Sequence, residues 1–208
     1  MGRISSAPTI AADVAWAVAQ DVSLEGDLSE EDYLALTTNH LLEYTHGTLE
    51  APPMPTKSHQ RLVAALFRLL TAYLAVSPRG EALFAPYRVQ LWPGKFREPD
   101  IIFLLTEHAS RFGDDYARGA DLVVEVVSPD DRRRDLETKR SEYAQAAIPE
   151  YWIVDPEMQR ITVLTLADAE YAVHGEFGAG DQATSLLLPG FTVDVAALFA
   201  GAEGAPTP

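Results

Sequence analysis

Two acids stand where acids are costly: Asp100, after Pro99 at the head of the apolar run IIFLL, and Glu125, amid Val123, Val124, Val126 and Val127 of DLVVEVVS. An unpaired carboxylate at either place would forfeit its hydration, so each needs a partner or a proton. If the two runs pair as an antiparallel hairpin around the polar loop 106–119, the start of the first lies beside the last third of the second. That pairing brings Asp100 near Glu125. Carboxylates on adjacent strands, completed by backbone carbonyls and water, are the donors that hard cations such as Mg²⁺ and Mn²⁺ take. Each acid alone has an ordinary reading, as a turn residue at a strand start or an in-strand glutamate facing water or an arginine. The pair is what points to a metal.

The surrounding pattern predicts the elements that would hold them. LSEEDYLAL opens a short helix with Ser29 as N-cap and Asp32 three residues on. LLEYTHGTLEA reads as a hairpin turning at His46 and Gly47, and prolines 52, 53 and 55 stop it. Leu62, Leu66, Leu69, Leu70 and Tyr73 recur at helical spacing, which predicts a helix from Ser58 to about Ala75, ended by Pro78 and Gly80. ALFAPYRVQLW is strand-like but interrupted by Pro86, which implies an edge or a bulge. Asp130 or Asp131 can cap a second helix running to about Ala147, and EYWIVD, RITVLTL and EYAVHGEF follow as strands. The order is mixed α and β. Residues 1–27 read as an arm with an amphipathic helix from Ile10 to Val22, residues 28–200 as the domain, and 201–208 as a flexible tail.

Composition narrows the function classes. A chain of 208 residues with 47% hydrophobic content suits one domain with a real core. Its apolar runs fall far short of the roughly 20 residues that span a bilayer, so no membrane association is expected, and no signal peptide is read. With no cysteine, disulfides, thiolate metal sites and cysteine nucleophiles are excluded, and a cytoplasmic location is the expectation. The net charge of -15 argues against nucleic acid as partner unless the cations are gathered locally. Arg132, Arg133 and Arg134 form such a run, with Lys95 and Arg97 ahead of Asp100. Either they meet phosphates, or Asp130, Asp131 and Asp135 answer them as a solvated charge run.

Pro99-Asp100 and Glu125-Val126-Val127 resemble the PD-(D/E)XK superfamily of restriction-endonuclease-like nucleases, with Val127 where the motif lysine belongs. The chain is more closely similar to a family of small stand-alone proteins of that fold described as putative restriction endonucleases. There the strand acid precedes Ser-Pro, a helix bearing Lys and Tyr, and a Tyr-Trp strand, matched here by EVVSP at 125–129, Asp135, Lys139, Tyr143 and EYWIVD at 150–155. The resemblance covers about residues 28 to 200. It implies an α/β (α+β) fold with a mixed central sheet flanked by helices, a homodimer, and metal-assisted hydrolysis of DNA. Asp100, Glu125 and the Val126 carbonyl would hold Mg²⁺ or Mn²⁺. Lys139 would replace the missing motif lysine, unless it is a surface lysine paired with Asp135. Glu43 or His59 would stand near the first-helix acid of the motif, His59 serving equally as a hydrogen-bonded structural residue and Glu43 as a solvated strand residue. Arg97, Arg132 and Tyr143 would border the substrate, packing being the other role for Tyr143. Tyr151 and Trp152 read as core or interface. Two rivals remain: a non-catalytic nuclease-fold module that binds protein or nucleic acid, and a metal-dependent hydrolase of another phosphate ester.

Overall fold

The structure is a computed structural model that describes residues 24–25, 28–36 and 41–203. The expected amphipathic helix at 10–22 lies outside the described residues. Two six-stranded mixed sheets and a two-stranded ribbon are flanked by helices. The first sheet has the order β1 (Leu24–Glu25), β3 (Thr48–Glu50), β2 (Glu43–Thr45), β6 (Lys95–Arg97), β5 (Arg88–Trp92), β8 (Tyr116–Arg118). The second runs β12 (Glu170–Phe177), β11 (Arg160–Ala167), β10 (Glu150–Asp155), β9 (Leu122–Val126), β7 (Ile101–Leu105), β4 (Gly80–Phe84). The ribbon pairs β13 (Gln182–Thr184) with β14 (Thr192–Asp194).

Strand β9 lies inside the second sheet, antiparallel to β7 and parallel to β10. All five of its residues are buried, because both faces are covered. The period of two divides it: Leu122, Val124 and Val126 join one core cluster, while Val123 and the following Val127 join another. On the first face pack Leu62, Val63, Leu66 and Leu70 of helix α2 (Lys57–Val76) and Leu198, Phe199 and Ala202 of helix α4 (Val195–Glu203). On the second lie Tyr143 of helix α3 (Lys139–Gln145), Val89 and Leu91 of β5, and Ala117 of β8. Glu125 belongs to this second face by alternation.

Several predicted elements appear with their expected chemistry. Helix α1 (Glu30–Leu34) starts with a reciprocal capping box between Ser29 and Asp32. The β2–β3 hairpin turns through His46 and Gly47, both at positive φ as a type I′ turn demands. Helix α2 is capped by Thr56, whose hydroxyl accepts the His59 N–H.

Three expectations change. Pro86 does not bulge one strand; it separates β4, at the edge of the second sheet, from β5 in the first, so the chain changes sheets there. The loop 106–119 contains a 3₁₀ helix at Thr106–Arg111 and strand β8, parallel to β5. The expected helix forms as one helical run over residues 132–145 with a π-helical middle, but neither Asp130 nor Asp131 caps it. The chain passes through a 3₁₀ turn (Pro129–Asp131) and a π-helical turn (Arg134–Thr138) before α3, with no side-chain cap at any of the three starts. At the ends, β1 adds to β3 within the segment read as an arm, and α4 continues past residue 200 to bury Ala202. No helix among the described residues is long and apolar enough to cross a membrane.

Candidate active site

The β7–β9 register pairs Ile101 with Val124, so the next step outward sets Asp100 opposite Glu125. Asp100 Oδ2 accepts the Val126 N–H at 2.8 Å and lies 3.2 Å from His59 Nε2, which projects from the first turn of α2. Desolvation works against the charged His59, but the hydrogen bond and negative charge of Asp100 outweigh it and raise the imidazole pKa. Among the described residues, His59 Nδ1 is buried without a partner. Glu98, the other acid beside Pro99, serves the first sheet instead: it accepts the Leu42 N–H at 3.3 Å and lies 3.6 Å from Arg88.

Glu125 is 3% exposed, and both carboxylate oxygens are engaged. Tyr143 donates its hydroxyl to Oε1 at 2.6 Å, and Lys139 Nζ lies 2.9 Å from Oε2. Burial pushes the Glu125 carboxyl up to about 8, the Lys139 ammonium opposing this and the charges of Asp100 and Asp135 adding to it. For Lys139, burial works against the ammonium, yet Glu125, Glu43, Asp135 and Asp100 together raise its pKa. The lysine is therefore a held cation at neutral pH. It is also 3.0 Å from Asp135 Oδ1, so the two readings of Lys139, site partner and i, i+4 pair, coexist. Val127, where the motif lysine would stand, is buried in the same face's core.

Behind this group lies a buried ion network. Glu43 and Glu50 face each other across the hairpin, a like-charge pair that needs cations. Arg97 supplies one, 2.5 Å from Glu43 and 3.1 Å from Glu50, and Arg134 bonds both acids. Arg97 also forks onto Glu142 through two bonds of 2.7 and 2.8 Å, and Lys95 Nζ lies 2.6 Å from the same carboxylate. Burial would raise the Glu43 carboxyl, but Arg97, Lys139 and Arg134 hold it well below the usual carboxylate range.

Asp100, Glu125, Lys139 and His59 thus come together, with Glu43 one layer behind and Val126 donating its N–H to Asp100. Two residues assigned to the substrate lie inside the protein. Arg97 is 2% exposed and spent on three glutamates, and Tyr143 is fully buried with its hydroxyl on Glu125. Arg132 lies near the surface, forked onto Asp155 and paired with Glu157, while Arg133 is exposed and pairs with Glu137. Tyr151 and Trp152 are core residues. Asp135 was legible as an element of the family pattern, an answer to the arginine run and a partner for Lys139, while its second bond, from the Ser128 N–H at 3.3 Å, has no sequence signal. Glu50 and Glu142 were missed; the Glu43–Glu50 register implied by the hairpin was the signal for the first.

The donor set suits one kind of ion. Among the described residues no group of three or more His, Cys, Asp or Glu could hold a metal by itself. Two carboxylates on adjacent strands fit a Mg²⁺-like ion, which keeps several waters and takes substrate oxygens, rather than an ion caged by protein.

Comparison with known proteins agrees with this fold. A crystal structure of "a putative nuclease belonging to DUF820" from Anabaena variabilis ATCC 29413 superposes with a TM-score of 0.68 at 17% identity, covering 83% of this chain and 97% of that one. No curated protein matches the sequence. The Uma2 family model, described as "Putative restriction endonuclease", matches residues 30–196, which span every residue of the candidate site. The chain belongs to the Uma2 family, within the restriction-endonuclease-like superfamily.

Proposed function

We propose that this chain is a divalent-metal-dependent endonuclease that hydrolyses phosphodiester bonds in DNA. The observation that carries the reading is Asp100 and Glu125 set opposite each other on β7 and β9, with the Lys139 ammonium on Glu125. Asp100, Glu125 and the Val126 carbonyl would hold Mg²⁺ or Mn²⁺. When bound, such an ion polarises a phosphate and lowers the pKa of water toward neutrality. His59 fixes the Asp100 carboxylate through Oδ2, and Tyr143 fixes Glu125 through Oε1. Lys139, protonated at neutral pH, serves as a cation facing the charge that develops on phosphate oxygens as the water–phosphorus bond forms and the P–O bond breaks. Glu43 stands behind it, its charge held by Arg97 and Arg134. Arg132 and Arg133 are the outward cations available for the DNA backbone. A homodimer would offer two sites to a duplex, and a cysteine-free chain suits the cytoplasm.

The test is nicking of supercoiled plasmid with Mg²⁺ or Mn²⁺. Activity that falls roughly 100-fold or more in Asp100→Asn and Glu125→Gln supports the reading. Metal-independent activity, or activity indifferent to both substitutions, contradicts it. One further reading has an observation behind it. Lys95, Arg97 and Arg134 are drawn inward to glutamates in a chain of net charge -15, which favours a nuclease-fold module that binds a partner without cleaving it. Retained DNA or protein binding with no cleavage under any metal would select that alternative.

A further inference from the structure

Lys139 is the cation of the site, and two carboxylates share it at nearly equal range: Glu125 Oε2 at 2.9 Å and Asp135 Oδ1 at 3.0 Å. They differ in how they are held. Glu125 has Tyr143 on its other oxygen, so an ion seated between Asp100 and Glu125 meets the ammonium at Oε2 and is repelled by it there. Asp135 lies apart from the Asp100–Glu125 pair, in the π-helical turn that precedes α3. Its Oδ2 accepts the Ser128 N–H at 3.3 Å, and its backbone carbonyl accepts the Tyr151 hydroxyl at 2.9 Å. The residue is therefore pinned both to the loop after β9 and to β10. A π turn inserted into a helix is a frequent device at functional sites, and here Asp135 and Lys139, four apart, span it.

The other acids near Lys139 are committed elsewhere. Glu43 is held by Arg97 and Arg134, and Asp100 by His59 and the Val126 N–H. Among the described residues, Asp135 and Glu125 are the acids within ion-pair distance of Lys139.

We infer that Asp135 is a positioning residue that receives the Lys139 ammonium when a divalent cation claims Glu125. Two carboxylates around one ammonium let the lysine give up one without leaving the site, so the positive charge stays beside the ion instead of competing with it or swinging to solvent. The inference rests on the metal site proposed above.

Calorimetric titration of Mn²⁺ tests it, using wild type, Asp135→Asn, Lys139→Gln and the double variant, each verified as folded by circular dichroism. Asparagine can still accept the Ser128 N–H, so the loop contact survives. Without Asp135 the ammonium has Glu125 alone and competes harder, so Mn²⁺ affinity should fall roughly tenfold, the coupling expected within one ion network. Lys139→Gln removes the competitor and should tighten binding, and in that background Asp135→Asn should change affinity by about twofold or less. Asp135→Glu should retain most of the wild-type affinity. Equal weakening by Asp135→Asn with and without Lys139 would show a merely structural or general electrostatic role and overturn the inference, as would no change in either background. If Asp135→Asn does not fold, Lys139→Gln alone decides, and unchanged or weaker binding overturns the inference. Absence of Mn²⁺ binding in all four proteins would overturn the metal site itself and the inference with it; binding with additive effects overturns the inference alone.

Discussion

Glu125 and Glu150 are buried acids on neighbouring parallel strands, and their surroundings could hardly differ more. Glu150 is saturated by neutral donors: the Trp152 indole at 2.7 Å, the Ser185 hydroxyl at 2.6 Å, and the Leu186 and Leu187 N–H groups at 2.8 and 2.9 Å. It pins the 185–188 turn against β10. Glu125 has one hydroxyl and one ammonium, faces Asp100 across the strand pair, and has its carboxyl pushed upward by burial. The first acid is spent on the fold. The second is kept under electrostatic tension that a bound cation would relieve, the pattern by which strain collects at functional sites.

The largest effect should come from the structural acid. Glu150→Ala strands four donors, two of them backbone groups, and should cost about 4 kcal/mol or more in urea unfolding, since each buried unsatisfied donor costs ~1–3 kcal/mol. A cost near zero would erase the contrast. Next is Glu43→Gln, which leaves Arg97 and Arg134 under-compensated and should cost about 3 kcal/mol at pH 7. Because the folded Glu43 carboxyl lies below its ordinary value of 4.5, its contribution is present above that pH and is lost as the solution is acidified. The variant should therefore show a flatter acid limb in a plot of stability against pH.

Glu125→Gln should behave in the opposite sense and more weakly. The folded carboxyl stands at about 8 against 4.5, so its proton-linked stability is complete below pH 4.5 and is lost as pH rises to 8. The amide cannot ionise, so in metal-free buffer the variant should gain on wild type across that window, read as a rising difference in melting temperature. A constant difference would mean that Glu125 carries no such tension. Smallest is Arg133→Ala, exposed and paired with Glu137, which should change stability within about 0.5 kcal/mol while weakening DNA binding at low salt.

The same contrast explains what could be read from the sequence. Asp100 and Glu125 were legible because acids inside apolar runs violate the local pattern, and the hairpin that joins them is a short-range feature. Lys139 was legible through the family resemblance, since helical spacing alone leaves it equally a partner of Asp135. The split into two sheets was not, because Pro86 signals a break but not which sheet accepts the next strand; that depends on β5 finding both β6 and β8. The fates of Arg97 and Lys95 were hidden for a related reason. A basic residue beside a motif looks the same whether it meets solvent or three glutamates brought from residues 43, 50 and 142. The π-helical turn carries no sequence mark at all, although the Asp135–Lys139 pairing beside it follows from ordinary i, i+4 helical spacing.

The central claim is that Asp100 and Glu125 form one divalent-cation site. Calorimetric titration of Mn²⁺ into metal-free wild type, Asp100→Asn and Glu125→Gln tests it without any choice of substrate. Saturable binding in wild type that disappears in both folded variants is the predicted result; no binding in wild type, or binding that survives both substitutions, would contradict it.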